Sequence, residues 1–209
     1  MDKKHAEKIL SLLTKNYDSN KTALNYSTPL ELLIATILSA QCTDKRVNIV
    51  TEKLFKKYKT LSDYADADLK EFELDIKSTG FYKNKARNII NSARLIQKEF
   101  NGKVPDTMEK LTRLPGVARK TANIVLFHFF GKNEGIAVDT HVKRLSFRLG
   151  LTKNIDPQKI EQDLMKIFPR EKWGILSNLL IEHGRTLCAA RKPLCAKCWF
   201  NNICPKKGI

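Results

Sequence analysis

Hydrophobic runs long enough to cross a bilayer are missing from this sequence. The longest candidate, Ile124 to Phe130, contains His128 and falls far short of the roughly 18 to 20 residues required. A membrane-spanning role is thereby excluded, and no membrane partner is expected. Cysteine is scarce: four of the five crowd into the last 22 residues and Cys42 stands alone, which argues against a disulfide framework spread over a secreted fold. Cys42 reads as a small buried hydrophobe. Acidic residues are few. The 22 Asp plus Glu face 38 Lys plus Arg, for a net charge of +16 and a pI near 9.7. Such an excess suits a partner bearing many phosphates, nucleic acid first, although anionic membranes and ribosomal scaffolds also attract basic surfaces. The first residues, Met1 to Glu7, are largely charged and lead into apolar positions at helical spacing. That is unlike a secretory segment, so a cytoplasmic location is expected.

Strand-like alternation and low-complexity linkers are absent too; what is present reads as helix. Thr28-Pro29-Leu30-Glu31 has the form of a capping box with Pro at the first helical position, ahead of Leu32-Leu33-Ile34. Val47, Val50, Leu54, Phe55 and Tyr58 mark one face of a helix beginning near Thr43 or Asp44. Similar stripes run through Phe81 to Phe100, Thr107 to Arg113 and Arg119 to Phe130. Asp139 can cap a helix ending at Gly150, Asp156-Pro157 can open another, and Trp173 to Leu187 forms a third. About ten helices joined by short turns predict an all-α protein of two helical lobes, divided near Gly131 to Gly135, with a ligand cleft where they meet.

Four segments carry chemistry. Cys188-x6-Cys195-x2-Cys198-x5-Cys204 gathers four soft ligands. By spacing alone it suits tetrahedral zinc or an iron–sulfur cube, and zinc is the commoner partner of a Cys-x-x-Cys turn. The first gap also holds Arg191 and Lys192, cations available to a nucleic-acid backbone. Leu114-Pro115-Gly116-Val117-Ala118-Arg119-Lys120-Thr121 is a tight turn feeding a helix, where backbone amides at the positive end of a helix dipole can hold a phosphate. Taken alone, it is equally a Pro-Gly turn before an ordinary helix. Asp139 precedes Thr140-His141-Val142-Lys143-Arg144 and by itself reads as a helix cap. Leu38-Ser39-Ala40-Gln41-Cys42-Thr43-Asp44 and Gly80-Phe81-Tyr82 read by themselves as a polar turn and a core aromatic.

Together these segments resemble, in order and spacing, the endonuclease III branch of the helix-hairpin-helix DNA glycosylase superfamily, from about Tyr26 to Pro205. The cysteine spacing is similar to the [4Fe–4S] loop of endonuclease III and adenine-mismatch glycosylases, and this resemblance turns the choice from zinc to a structural [4Fe–4S] cluster. The hairpin resembles the family's Leu-Pro-Gly-Val-Gly, with Ala118 where a second Gly is frequent. At positive φ, Ala there costs about 1 kcal/mol or more; in right-handed space it is harmless or slightly stabilising. Leu114, Gly116, Ala118, Arg119 and Thr121 are the hairpin's candidate DNA contacts. Lys120, one of many lysines on residue type alone, stands where bifunctional members carry their nucleophile. To act as a nucleophile its amine must be neutral. Asp139, nineteen residues on, stands where the superfamily places its catalytic carboxylate, and His141 and Arg144 follow as candidate phosphate contacts. The implied role of Gln41 is to fill the space left by an extruded nucleotide, with Phe81 wedging the other side.

The resemblance implies a helical barrel over residues 23–132 containing the hairpin at about 107–130. The second lobe joins residues 1–22 to 133–209 and carries the cluster loop 188–204. It also implies a monomer acting on damaged double-stranded DNA laid across the cleft, on the nucleoid. It further implies that oxidised pyrimidines are excised through a Lys120 Schiff base and the strand nicked by β-elimination. An adenine-mismatch glycosylase, a non-enzymatic iron–sulfur DNA binder and a zinc-stabilised RNA scaffold are the rivals; Lys120 argues against the first.

Overall fold

The computed structural model describes residues 3–18 and 22–209. Among them there is no strand, only eleven α-helices and three short 3₁₀ helices. The helices are α1 (Lys3–Asn16), α2 (Pro29–Leu38), α3 (Asp44–Lys57), α4 (Leu61–Ala65), α5 (Leu69–Asp75), α6 (Tyr82–Glu99), α7 (Met108–Leu111), α8 (Arg119–His128), α9 (Thr140–Arg148), α10 (Pro157–Ile167) and α11 (Trp173–Thr186). None is long and apolar enough to cross a membrane. The chain divides into two compact units. One is Thr22–Gly131; the other joins the N-terminal segment bearing α1 to Lys132–Ile209.

The first unit is built around α2. Its start is set locally: the Thr28 hydroxyl accepts from Glu31 N at 3.1 Å and a Glu31 carboxylate oxygen accepts from Thr28 N at 3.2 Å, closing a capping box. Leu32 through Leu38 are all buried. A helix without a polar face must be covered on all sides, and α3, α6 and α8 pack against it. Val47, Val50, Leu54 and Tyr58 present the buried stripe of α3, with Phe55 half-buried beside them. In α6, Ala86, Ile89, Ile90, Ala93 and Ile96 do the same. Each such Leu, Ile or Val contributes about 1.5–3 kcal/mol by leaving water. The short helices α4 and α5, too brief for a legible stripe, start at Thr60 and Asp68 caps.

The second unit has its own core. Ala6, Ile9 and Leu13 of α1 are fully buried and α1 packs on α11, so an N-terminal helix completes a C-terminal unit. Helix α9 lies against α11 and α10. Asp156 caps α10, accepting from Gln158 N and Lys159 N at 3.1 and 3.0 Å, with Pro157 at the first helical position.

Candidate active site

The hairpin turn in the first unit is determined from two directions. Val117 N donates to Leu114 O at 3.1 Å, with Pro115 and Gly116 central and Gly116 at φ +79°, as a type II turn requires. A Cβ on Gly116 would also stand 2.8 Å from Asn88 Nδ2 and 2.9 Å from Asn88 Cβ, so α6 presses directly on the turn. Ser92, one helical turn along α6, donates through its hydroxyl to Pro115 O at 2.9 Å. Leu114 is buried and anchors the turn.

Ala118 is the N-cap of α8 at φ −84° and ψ 170°, and no side chain caps that helix. The position is neither left-handed nor in the helical region; it is extended backbone, which Ala adopts without strain. The positive end of the α8 dipole is therefore presented just where Lys120, the second residue of the helix, is exposed to solvent. Arg119 and Thr121 flank it, half-buried.

Two other turns of this unit hold residues in left-handed backbone. Gln41 stands at φ 53° and Phe81 at φ 48°, a region few non-glycine residues occupy. Gln41 is exposed, and Phe81 is 64% exposed, not a core aromatic. Cys42 beside Gln41 is half-buried against the core. Strained backbone carrying an exposed apolar side chain is characteristic of a contact surface. Behind these turns lies Lys85, buried, donating to Leu38 O and Thr79 O. Nothing in a sequence with so many lysines singles it out.

In the second unit Asp139 is the N-cap of α9, its Oδ1 accepting from Val142 N at 2.8 Å; the cap fixes a half-buried carboxylate. The next two candidates turn inward. Arg144 donates to Gly184 O at 3.0 Å, to Cys188 O at 2.9 Å and contacts His141 Nδ1 at 3.2 Å. The Arg144 guanidinium is thus a strut joining α9 to the end of α11. The groups fit because residue 184 is Gly: a Cβ there would meet His141 Nδ1 at 2.7 Å and an Arg144 nitrogen at 2.9 Å. Burial holds the His141 pKa down, opposed by Asp139 and reinforced by Arg144 and Arg185.

The four C-terminal cysteines are half-buried and line one cavity with Arg148, His183, Leu187 and Phe200 among its walls. Among the described residues, no three His, Cys, Asp or Glu side chains group closely enough to hold one metal ion. Arg148 donates to Ala189 O at 2.7 Å, to Ala190 O at 2.9 Å and to Cys188 Sγ at 3.4 Å, setting a cation against a sulfur. His183 Nε2 lies 3.4 Å from Cys198 Sγ and Lys206 N donates to Cys204 Sγ at 3.3 Å. Burial pushes the Cys198 and Cys204 thiols up and His183 down to about 4. Arg191 and Lys192 are exposed at the bend of the loop, Lys192 at φ 52°. Arg148 and His183 escape a sequence reading, because their service to the loop is a contact across the fold.

Residues 34–170 match the HhH-GPD superfamily of base excision DNA repair proteins. Over 203 residues the chain is 55% identical to the endonuclease III of Synechocystis, covering 97% of this chain and 93% of the relative. It is 40% identical over 207 residues to that of Escherichia coli, with 99% and 98% covered. A solved structure of a trapped endonuclease III–DNA covalent intermediate matches with a TM-score of 0.94 at 43% identity, over 99% of this chain and 97% of that one. With its hairpin, capped aspartate and cysteine loop in that order, the chain belongs to the endonuclease III family of the HhH-GPD superfamily.

Proposed function

We propose that this DNA glycosylase and abasic-site lyase of base excision repair removes oxidised or ring-saturated pyrimidines from duplex DNA, with Lys120 as its nucleophile. The observation that carries the reading is the exposed Lys120 at the second position of α8, directly after the Gly116 turn. A relative with 43% identity forms a covalent intermediate with DNA, and such an intermediate calls for a nucleophile.

In this mechanism the neutral Lys120 amine attacks C1′ of a flipped nucleotide. The C1′–N bond breaks and the base leaves with the bonding pair, taking up a proton. Transfer of a proton from nitrogen to O4′ with cleavage of the C1′–O4′ bond then opens the sugar ring and gives a protonated imine. Removal of a C2′ proton then sends electrons into that imine, and on their return the C3′–O bond breaks with the phosphate as leaving group. The Asp139 carboxylate, fixed by its cap bond to Val142 N, accepts a proton from Lys120 or stabilises positive charge on the sugar. Amides of the Leu114 to Thr121 segment hold a phosphate at the α8 dipole, Arg191 and Lys192 add backbone contacts, Gln41 fills the space left by the extruded nucleotide and Phe81 wedges the other side.

Cys188, Cys195, Cys198 and Cys204 are assigned to a [4Fe–4S] cluster. The four cysteines line a common cavity, and four thiolates gathered by one loop are the ligand set of such a cluster. When bound, the cluster supplies a covalent tie for the C-terminal loop and no step of the reaction.

The test is incubation with abasic duplex and borohydride, followed by a denaturing gel, on protein of known iron and zinc content. Lys120→Gln is expected to bind the DNA yet form no covalent band and no nick. Undiminished cleavage by that variant removes Lys120 from the chemistry, and zinc in place of iron removes the cluster assignment.

A further inference from the structure

The turns bearing Gln41 and Phe81 are joined by a buried cation. Lys85, near the start of α6, is 4% exposed, and its Nζ donates to Leu38 O at 2.7 Å and to Thr79 O at 2.8 Å. Leu38 closes α2 three residues before Gln41, and Thr79 closes the 3₁₀ helix Lys77–Thr79 two residues before Phe81. Both acceptors sit at helix C-termini, where carbonyls lack intrahelical partners, and the Leu38 carbonyl also carries the negative end of the α2 dipole. Burying an ammonium is unfavourable unless it is well hydrogen-bonded. Burial holds the Lys85 pKa below its ordinary value, while the Cys42 thiol beside it acts in the opposite sense. A core helix facing α2 has no need of a charge here; a Met or Leu would fill the space. The two carbonyls account for the lysine: one side chain spans the roots of both strained turns.

We propose that Lys85 is a positioning residue that sets the separation of the Gln41 and Phe81 turns, so that Gln41 fills the gap in the DNA stack while Phe81 wedges its other side. This rests on the reading of Gln41 and Phe81 as the residues that enter the duplex. Neither turn has regular structure of its own between the elements that bracket it. Without the strut each turn moves with its own helix, and the pair loses the fixed spacing that helps drive a nucleotide out.

The experiment compares borohydride trapping rates on abasic duplex and on the same abasic strand alone, where no stack must be entered. For Lys85→Met, the duplex-to-single-strand ratio is expected to fall at least about tenfold, since misplacement by about 1 Å can cost about a hundredfold in rate. General destabilisation lowers both rates and leaves the ratio. A wild-type ratio in folded Lys85→Met overturns the proposal. Gln41→Ala and Phe81→Ala are measured on duplex alongside. If both trap at the wild-type rate, the duplex-entry reading fails whatever Lys85 does; if both are slow while Lys85→Met keeps the wild-type ratio, only the role of Lys85 fails. Should Lys85→Met not fold, Lys85→Gln, which keeps a donor, carries the same comparison. Failure of both to fold makes Lys85 a determinant of the fold and refutes the positioning role.

Discussion

Two neighbouring positions in the hairpin make opposite predictions for the same pair of residues. At Gly116 the backbone is left-handed, φ +79°, where Ala costs about 1–2 kcal/mol. The added Cβ also meets Asn88 Nδ2 at 2.8 Å and Asn88 Cβ at 2.9 Å. The amide can swing aside, but the Asn88 Cβ is fixed to α6, and overpacking of this kind costs about 1–3 kcal/mol. Gly116→Ala should therefore destabilise the protein by about 2–5 kcal/mol in equilibrium guanidinium unfolding. Adding Asn88→Ala removes the amide but not the Cβ and should recover only part of that loss. At Ala118 the backbone is extended, φ −84°, and the residue is an exposed N-cap. Gly is the better N-cap by a modest margin, while its greater freedom in the unfolded chain costs about 0.4–1 kcal/mol. Ala118→Gly should consequently stay within about 0.5 kcal/mol of wild type. If Gly116→Ala unfolds within about 0.5 kcal/mol of wild type, or if Ala118→Gly is as damaging as Gly116→Ala, this account of the turn is wrong.

Asp139→Asn keeps a good N-cap, so its unfolding transition should match wild type while base release from a lesion duplex falls by about a hundredfold or more, the scale of a lost acid–base group; wild-type rates would leave Asp139 the capping role alone. Gly184→Ala forces a Cβ into His141 and Arg144 and should cost about 1–3 kcal/mol by separating α9 from α11, measured by thermal and denaturant unfolding. A neutral result would show that the strut is loose. Backbone bonds from Thr60 and Lys59 hold the Asp63 carboxyl below its ordinary 3.8. Its folded value being depressed, the stability it lends is complete above pH 3.8 and disappears as pH falls through the lower folded value. The stability difference between wild type and Asp63→Asn should shrink across that acid window and stay constant at neutral pH.

The sequence by itself determined what local geometry encodes. Caps at Thr28, Asp139 and Asp156 announce helix starts because a side-chain oxygen answers an amide two or three residues ahead. The α3 stripe is readable because helical spacing carries its own period, and the cysteine spacing, hairpin and Lys120 are contiguous motifs. Tertiary structure decided everything that depends on which distant element lies opposite. The apolar stripe of α1 says that a face is buried, but only the fold shows that α11 covers it. Gly116 is legible as a turn glycine, whereas the pressure from Asn88 is not. Arg144 looks on paper like any cation near a DNA site and is in fact bonded to Gly184 O and Cys188 O. Lys85 is indistinguishable in sequence from its solvated neighbours, and becomes particular only where two helix ends separated by forty residues of chain converge on its ammonium. Short-range hydrogen bonds and periodicity are written in residue order; the partner of a buried polar group is fixed by packing, where sequence separation carries no information.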